Sequence, residues 1–154
     1  MTNMDQRRVV LTDYTYLSSV KSLCEIVCKS GKQYDLVIGI SRGGLIPAVF
    51  MSHALNRPMG IVHCSSYSDT SKGELETHGW VSPVQSPESI LIVDDLADTG
   101  HTLEFVKKFC ETTFDKPADL ATVYYKTGSV VIPDYYATVI SSDVWVVFPY
   151  EAQP

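Results

Sequence analysis

The sequence predicts an α/β fold, a parallel-sheet core covered by helices on both faces. Three observations carry that reading. Short, near-continuous apolar runs alternate with longer amphipathic ones, the pattern of β-α-β units. The most apolar run, Ser89-Ile-Leu-Ile-Val93, reads as a strand buried on both faces. Hydrophobic residues make up 45% and charged residues 19% of the 154, enough for one real core and too apolar for wholesale disorder.

In order along the chain, residues 15–29 place Leu17, Val20, Leu23, Cys24 and Val27 at helical spacing, and Ser30-Gly31 reads as the stop. Residues 35–40 read as a buried strand, 44–55 as a helix and 60–64 as the next strand. Residues 66–86 break the pattern. They are polar and hold Gly73, Gly79 and Pro83, so they read as a long loop or weak hairpin, a length that usually marks a functional cover or disorder. After the strand at 89–93, residues 100–114 read as a helix with Leu103, Phe105, Val106 and Phe109 inward. Residues 120–125 and 135–140 read as two further strands. The expectation is one domain over residues 1–154, because no repeat, linker or low-complexity tract divides it.

A formal net charge of −6 argues against a general nucleic-acid binder, which needs a basic face. It leaves room for a local basic pocket that holds a phosphorylated small molecule. No apolar run reaches about 18 residues, so no membrane span is expected. The opening Met-Thr-Asn-Met-Asp-Gln-Arg-Arg lacks the apolar core of a secretory signal, which gives a cytoplasmic reading. Cys24, Cys28, Cys64 and Cys110 include no Cys-x2-Cys pair and are read as reduced, buried or half-buried thiols.

The stretch Ile90-Leu-Ile-Val-Asp94-Asp95-Leu-Ala-Asp98-Thr99-Gly100-His101-Thr102 is the most informative. It puts two carboxylates at the carboxyl edge of a buried strand, with side chains on opposite faces, and then a turn that opens onto a helix N-terminus. Backbone N–H groups and threonine hydroxyls at such a turn make a phosphate cradle, and Gly100 removes a Cβ that would hinder close backbone approach. The plainer reading is a polar turn in which Asp98 or Thr99 caps the helix.

With its apolar strand, paired acids and Thr-Gly loop, this stretch resembles the signature of the type I phosphoribosyltransferases, in which the loop holds the 5′-phosphate of phosphoribosyl pyrophosphate. His101 stands where a small residue is common; its backbone N–H would still serve, with the side chain toward solvent. Ser41-Arg42-Gly43-Gly44 ends the first buried strand and resembles the family's pyrophosphate loop, which implies a cis peptide at Ser41–Arg42. Lys126 follows a strand, and Trp145 and Val146 lie in an extended C-terminal segment, about residues 141–154. Alone, Lys126 reads as a snorkelling surface charge and Trp145 as core. Together they resemble the base pocket of the bacterial xanthine-guanine members, where a lysine meets the 6-oxo group and an aromatic stacks on the purine. Val147 departs from the acid expected after the tryptophan, and Glu151 is the nearest acid.

The resemblance implies transfer of a phosphoribosyl group to guanine, xanthine or hypoxanthine, with phosphoribosyl pyrophosphate and a purine base as partners. It implies Mg²⁺ as cofactor, Asp94 and Asp95 on ribose hydroxyls or the metal, and Asp98 as general acid/base at purine N7. Backbone carbonyls near Trp145 and Val146 would choose among bases. A hood over residues 66–86 would close on the site, and the working unit would be a homodimer or homotetramer. The alternatives are a nucleotide-sensing regulator on the same fold and a transferase for another base.

Overall fold

The computed structural model describes residues 6–66 and 75–151. Strand β1, Arg7–Val10, precedes helix α1, Asp13–Ser30. Thr12 starts α1: its Oγ1 accepts the Thr15 N–H at 3.1 Å, and Asp13 complements the positive end of the helix dipole. Gly31 ends it with φ +73°, its N–H donating to the Cys28 carbonyl at 3.3 Å. Tyr16, Val20, Leu23, Cys24 and Val27 form the buried stripe. Cys28 is exposed rather than buried, because four residues rotate it about 40° past Cys24 around the helix.

Then come β2, Leu36–Ser41; α2, Leu45–Leu55; β3, Met59–Ser66; and β4, Leu75–Val81. They are followed by β5, Ile90–Ala97; α3, His101–Phe114; β6, Ala118–Lys126; β7, Tyr135–Ile140; and β8, Val144–Val147. Six strands form one sheet in the order β4-β3-β2-β5-β6-β7, parallel throughout except for the β3–β4 pair. The chain builds outward from β2 to β4, then returns to the other side of β2 and builds outward again from β5 to β7. Strand order therefore reverses between β2 and β5. Loops leaving the carboxyl ends of those two strands diverge, and an open α/β sheet binds ligands in the crevice this creates.

Alternation along the central strands sorts the core into two layers. Val37, Leu91 and Val93 pack with α1 and α2 residues such as Leu23, Val27 and Met51. Leu36, Ile38, Ile90 and Ile92 pack with Leu103, Val106 and Cys110 of α3. Each fully buried aliphatic side chain stabilises the fold by about 1.5–3 kcal/mol, so the central strands are the most firmly fixed part of the chain. Gly39 lets α2 lie close on β2: a Cβ there would sit 2.8 Å from the Ala48 Cβ.

Two features depart from the expected elements, and one settles an open alternative. First, β5 continues past its carboxylates to Ala97, because Leu96 and Ala97 keep pairing with Tyr124 and Tyr125 of β6. Second, of the two readings given for residues 66–86, the hairpin holds: β4 pairs antiparallel with β3, with Trp80 edge-on to Phe109 and Phe114. Residues 67–74 of the expected hood lie outside the described residues. Third, β1 and β8 pair in parallel as a separate two-stranded sheet that holds the C-terminal segment. Among the described residues, no helix is long and apolar enough to cross a membrane.

Candidate active site

Every candidate site side chain except those of β8 hangs from the sheet's carboxyl edge. The loop after β2 holds Ser41 and Arg42, joined by a cis peptide as expected. Ser41 Oγ lies 2.6 Å from His63 Nδ1. The glycines let this loop lie flat against β5. A Cβ on Gly43 would sit 2.0 Å from Asp95 Oδ2, and one on Gly44 would sit 2.6 Å from the Val93 carbonyl oxygen. Gly44 is the N-cap of α2 and supplies no side-chain cap.

On β5 the two carboxyl groups interact with each other, rather than lying on opposite faces as strand alternation alone predicts. Asp94 is buried, and its Oδ1 accepts the Asp95 N–H at 2.9 Å. Burial, reinforced by the neighbouring Asp95 charge, holds its carboxyl well above the usual range. Asp95 is half-buried, and the Tyr150 hydroxyl donates to its Oδ2. Burial raises the Asp95 carboxyl too, with the Tyr150 bond opposing. Burial and then the Asp95 charge push the Tyr150 hydroxyl up.

Helix α3 begins without a side-chain cap. Its N-cap is Gly100, at φ +87°, so neither Asp98 nor Thr99 fills that role. Thr99 Oγ1 accepts only a long 3.4 Å bond from the His101 N–H. Neither α2 nor α3 has a side-chain cap at its N-cap glycine; at α2 the Leu45 N–H donates to the Arg42 carbonyl at 3.1 Å and Pro47 has no N–H, whereas α1, whose Tyr16 ring lies 5.8 Å from that of Tyr150, carries a threonine cap. The close approach that Gly100 permits is to the chain itself. A Cβ there would meet Ser129 Oγ at 2.3 Å and the Val131 nitrogen at 2.9 Å, and the Val130 N–H donates to the Thr99 carbonyl at 2.8 Å. The His101 side chain is exposed, as expected, and Thr102 is half-buried.

Lys126, at the end of β6, is 4% exposed and so is not a snorkelling surface charge. Its Nζ lies 3.0 Å from Asp98 Oδ1. Trp145 is 51% exposed, which overturns its reading as core, while Val146 on the opposite face is 7% exposed. Glu151 Oε2 accepts the Phe148 N–H at 2.9 Å, which folds the C-terminal turn over the crevice.

These side chains line two neighbouring cavities. The smaller, about 240 Å³, is bounded by Asp95, Asp98, Lys126, Trp145, Val146 and Glu151, with Leu96 and Phe148. The larger, about 1000 Å³, is bounded by Arg42, Gly43, Asp95, Trp145, Tyr150 and Glu151, among others. Asp95, Trp145 and Glu151 border both. Ser41, Gly44, Asp94 and residues 99–102 line neither, although they share the same sheet edge. The sequence reading gave no role to Tyr150 or to Arg8, which also borders the larger cavity. Tyr150 sits five residues after Trp145 with an aromatic hydroxyl, a signal that was present; only the pairing of β1 with β8 brings Arg8 here.

The chain is similar to known proteins along most of its length. The phosphoribosyl transferase domain family matches residues 15–154. A xanthine-guanine phosphoribosyltransferase of Idiomarina loihiensis is 34% identical over 122 residues, 78% of this chain and 73% of that protein. Its counterpart in Cereibacter sphaeroides is 36% identical over 124 residues, 75% of this chain and 68% of that one. The crystal structure of a purine phosphoribosyltransferase from Pyrococcus horikoshii superposes with a TM-score of 0.82 at 31% identity, covering 96% of each chain. With the acidic strand end, the uncapped helix and the glycine loop meeting at one crevice, the chain belongs to the phosphoribosyltransferase family.

Proposed function

We propose that the chain transfers the phosphoribosyl group of phosphoribosyl pyrophosphate to a 6-oxopurine and releases pyrophosphate. The observation that carries this is the buried Lys126 ammonium, 3.0 Å from Asp98, on the wall of a 240 Å³ cavity beside the exposed Trp145. A cation fixed at a strand end donates to an oxo group and repels the amino group of adenine. The xanthine-guanine relatives act on bases that carry that oxo group.

In this reading Trp145 stacks on the purine, and the carbonyls of Trp145 and Val146 meet its far edge. Asp98 faces N7 and exchanges its proton. Thr99, Gly100, His101 and Thr102 offer N–H and hydroxyl groups to the 5′-phosphate, while Ser41, Arg42, Gly43 and Gly44 hold the pyrophosphate. Asp94 and Asp95 hold the ribose hydroxyls.

The donor set fits a Mg²⁺ ion held chiefly by substrate oxygens and water. Among the described residues, no group of three His, Cys, Asp or Glu side chains could cage a metal. Asp95 borders both cavities, and one or two carboxylates are what such an ion takes from protein. Asp95 and Asp94 would hold the ion, whose charge would offset that of the pyrophosphate.

Two variants test the base site. Lys126→Ala should weaken kcat/KM for 6-oxopurines by about 1.5–3 kcal/mol, the range for a charged hydrogen bond. Asp98→Asn should lower kcat by about 10²–10⁴ and leave the KM for phosphoribosyl pyrophosphate within a few-fold. Steady-state kinetics with both substrates varied reads the two effects. Unchanged oxopurine kinetics in Lys126→Ala, or normal turnover in Asp98→Asn, would remove the assignment.

A further inference from the structure

The larger cavity has a wall that none of the matched motifs supplies. Arg8 lies on β1, outside residues 15–154 that match the family. In the β1–β8 pairing Arg8 is the register partner of Trp145, so the two side chains project from the same face of that small sheet. Alternation sends Arg7 to the other face, where its guanidinium pairs with Asp143 at 3.2 Å. Among the described residues, the Arg8 guanidinium has neither an ion pair nor a hydrogen bond. It borders the 1000 Å³ cavity together with Arg42, Gly43, Asp95 and Glu151.

We propose that Arg8 is a second guanidinium for the diphosphate, binding its oxygens in the same cavity that Arg42 and Gly43 border. This rests on the phosphoribosyl-transfer reading and adds a residue to it. The charge balance of the cavity calls for such a group. Its lining holds two carboxylates, Asp95 and Glu151, in a chain of net charge −6, and the proposed substrate is polyanionic. Arg42 alone leaves that lining net negative, and Arg8 brings it to neutrality before any metal arrives. A guanidinium also matches two phosphate oxygens at once, which an ammonium does not. Because Arg8 is tied in register to Trp145, diphosphate held by Arg8 also steadies the strand that carries the base-stacking ring.

Direct binding separates this proposal from the activity it rests on. Wild type, Arg8→Gln and Arg8→Lys are titrated calorimetrically with inorganic pyrophosphate, with and without Mg²⁺, and with a 6-oxopurine nucleoside monophosphate, which carries no diphosphate. The expected result is a rise of about tenfold in the pyrophosphate Kd for Arg8→Gln, the loss of one charged hydrogen-bonding group. Arg8→Lys should recover most of the affinity, and nucleotide affinity should stay within about twofold in both. Arg8→Gln binding pyrophosphate as wild type does would overturn the proposal and leave the transfer reading standing. An equal loss for nucleotide and pyrophosphate would also overturn it, since Arg8 would then only hold β1 on β8. Wild type binding neither ligand would overturn the transfer reading as well.

Discussion

At 3.0 Å from Asp98 and 4% exposed, Lys126 is the side chain whose surroundings depart furthest from its usual place at the surface. A buried ammonium persists only when paired, and its partner is the acid proposed to exchange the proton at purine N7. The two residues were legible separately, one from a strand end and one from the acidic turn. Their contact was not, because 28 positions separate them in sequence and only the pairing of β5 with β6 joins them. Trp145 is the opposite case. The apolar run Val144-Trp-Val-Val147 reads equally well as core, and strand alternation decides it: Val144 and Val146 point in, Trp145 points out. Trp145→Ala should therefore change stability by less than about 1 kcal/mol, against about 3–5 kcal/mol for a buried aromatic. The KM for the purine should rise several times more than that for phosphoribosyl pyrophosphate. Melting and kinetics on the same variant check this, and a large melting drop with normal purine KM would return Trp145 to the core.

At the scale of elements, the two edges of the sheet use aspartates for different purposes. At the amino edge they tie strands together. Asp35 accepts the Glu88 and Ser89 N–H groups at 2.8 and 2.9 Å, which joins the start of β2 to the start of β5. Asp134 accepts the Leu120 N–H at 2.8 Å. Asp119 receives Lys32 Nζ and the Tyr34 hydroxyl, pinning the turn after α1 onto β6. At the carboxyl edge, Asp94, Asp95 and Asp98 are aimed at the crevice or buried beneath it. Sequence position separates the two sets only in part, since Asp119 and Asp94 both sit within strands.

The amino-edge set makes a pH-dependent prediction. Burial alone would raise the Asp119 carboxyl, but the bonds from Lys32 and Tyr34 outweigh it and hold it below its ordinary value. A carboxyl depressed on folding adds stability that is present above its unfolded pKa, about 4, and is lost as pH falls through the folded value. Asp119→Asn should cost about 1–2 kcal/mol at pH 7, a melting drop of about 3–6 °C, and the deficit should shrink steadily below pH 4. Melting curves of both proteins from pH 7 to 3 measure it. A deficit constant across that range would mean that the Asp119 charge does no stabilising.

Over the whole molecule, β-α-β alternation was enough to predict the parallel core, because strands buried on both faces must be apolar throughout. Strand order was not legible, and it is what locates the site: the reversal between β2 and β5 sets Arg42 and Gly43 opposite Asp95. The β1–β8 sheet was also hidden. Each strand has four residues, and those of β1 are all exposed, so no hydrophobic period marks them. That small sheet nevertheless carries Trp145 and Val146 to the crevice, where they border the 240 Å³ cavity. The fold thus assembles a glycine loop, a carboxylate strand end and the cavity lined by Lys126 and Trp145 from three separate sequence regions, and the central claim is that they serve one reaction. Pyrophosphate release, followed for the wild-type chain with phosphoribosyl pyrophosphate, Mg²⁺ and a panel of bases, tests that claim most directly. The account predicts turnover with guanine, xanthine or hypoxanthine and none above background with adenine or orotate. Turnover with adenine and none with any 6-oxopurine would contradict it, as would release that no base stimulates.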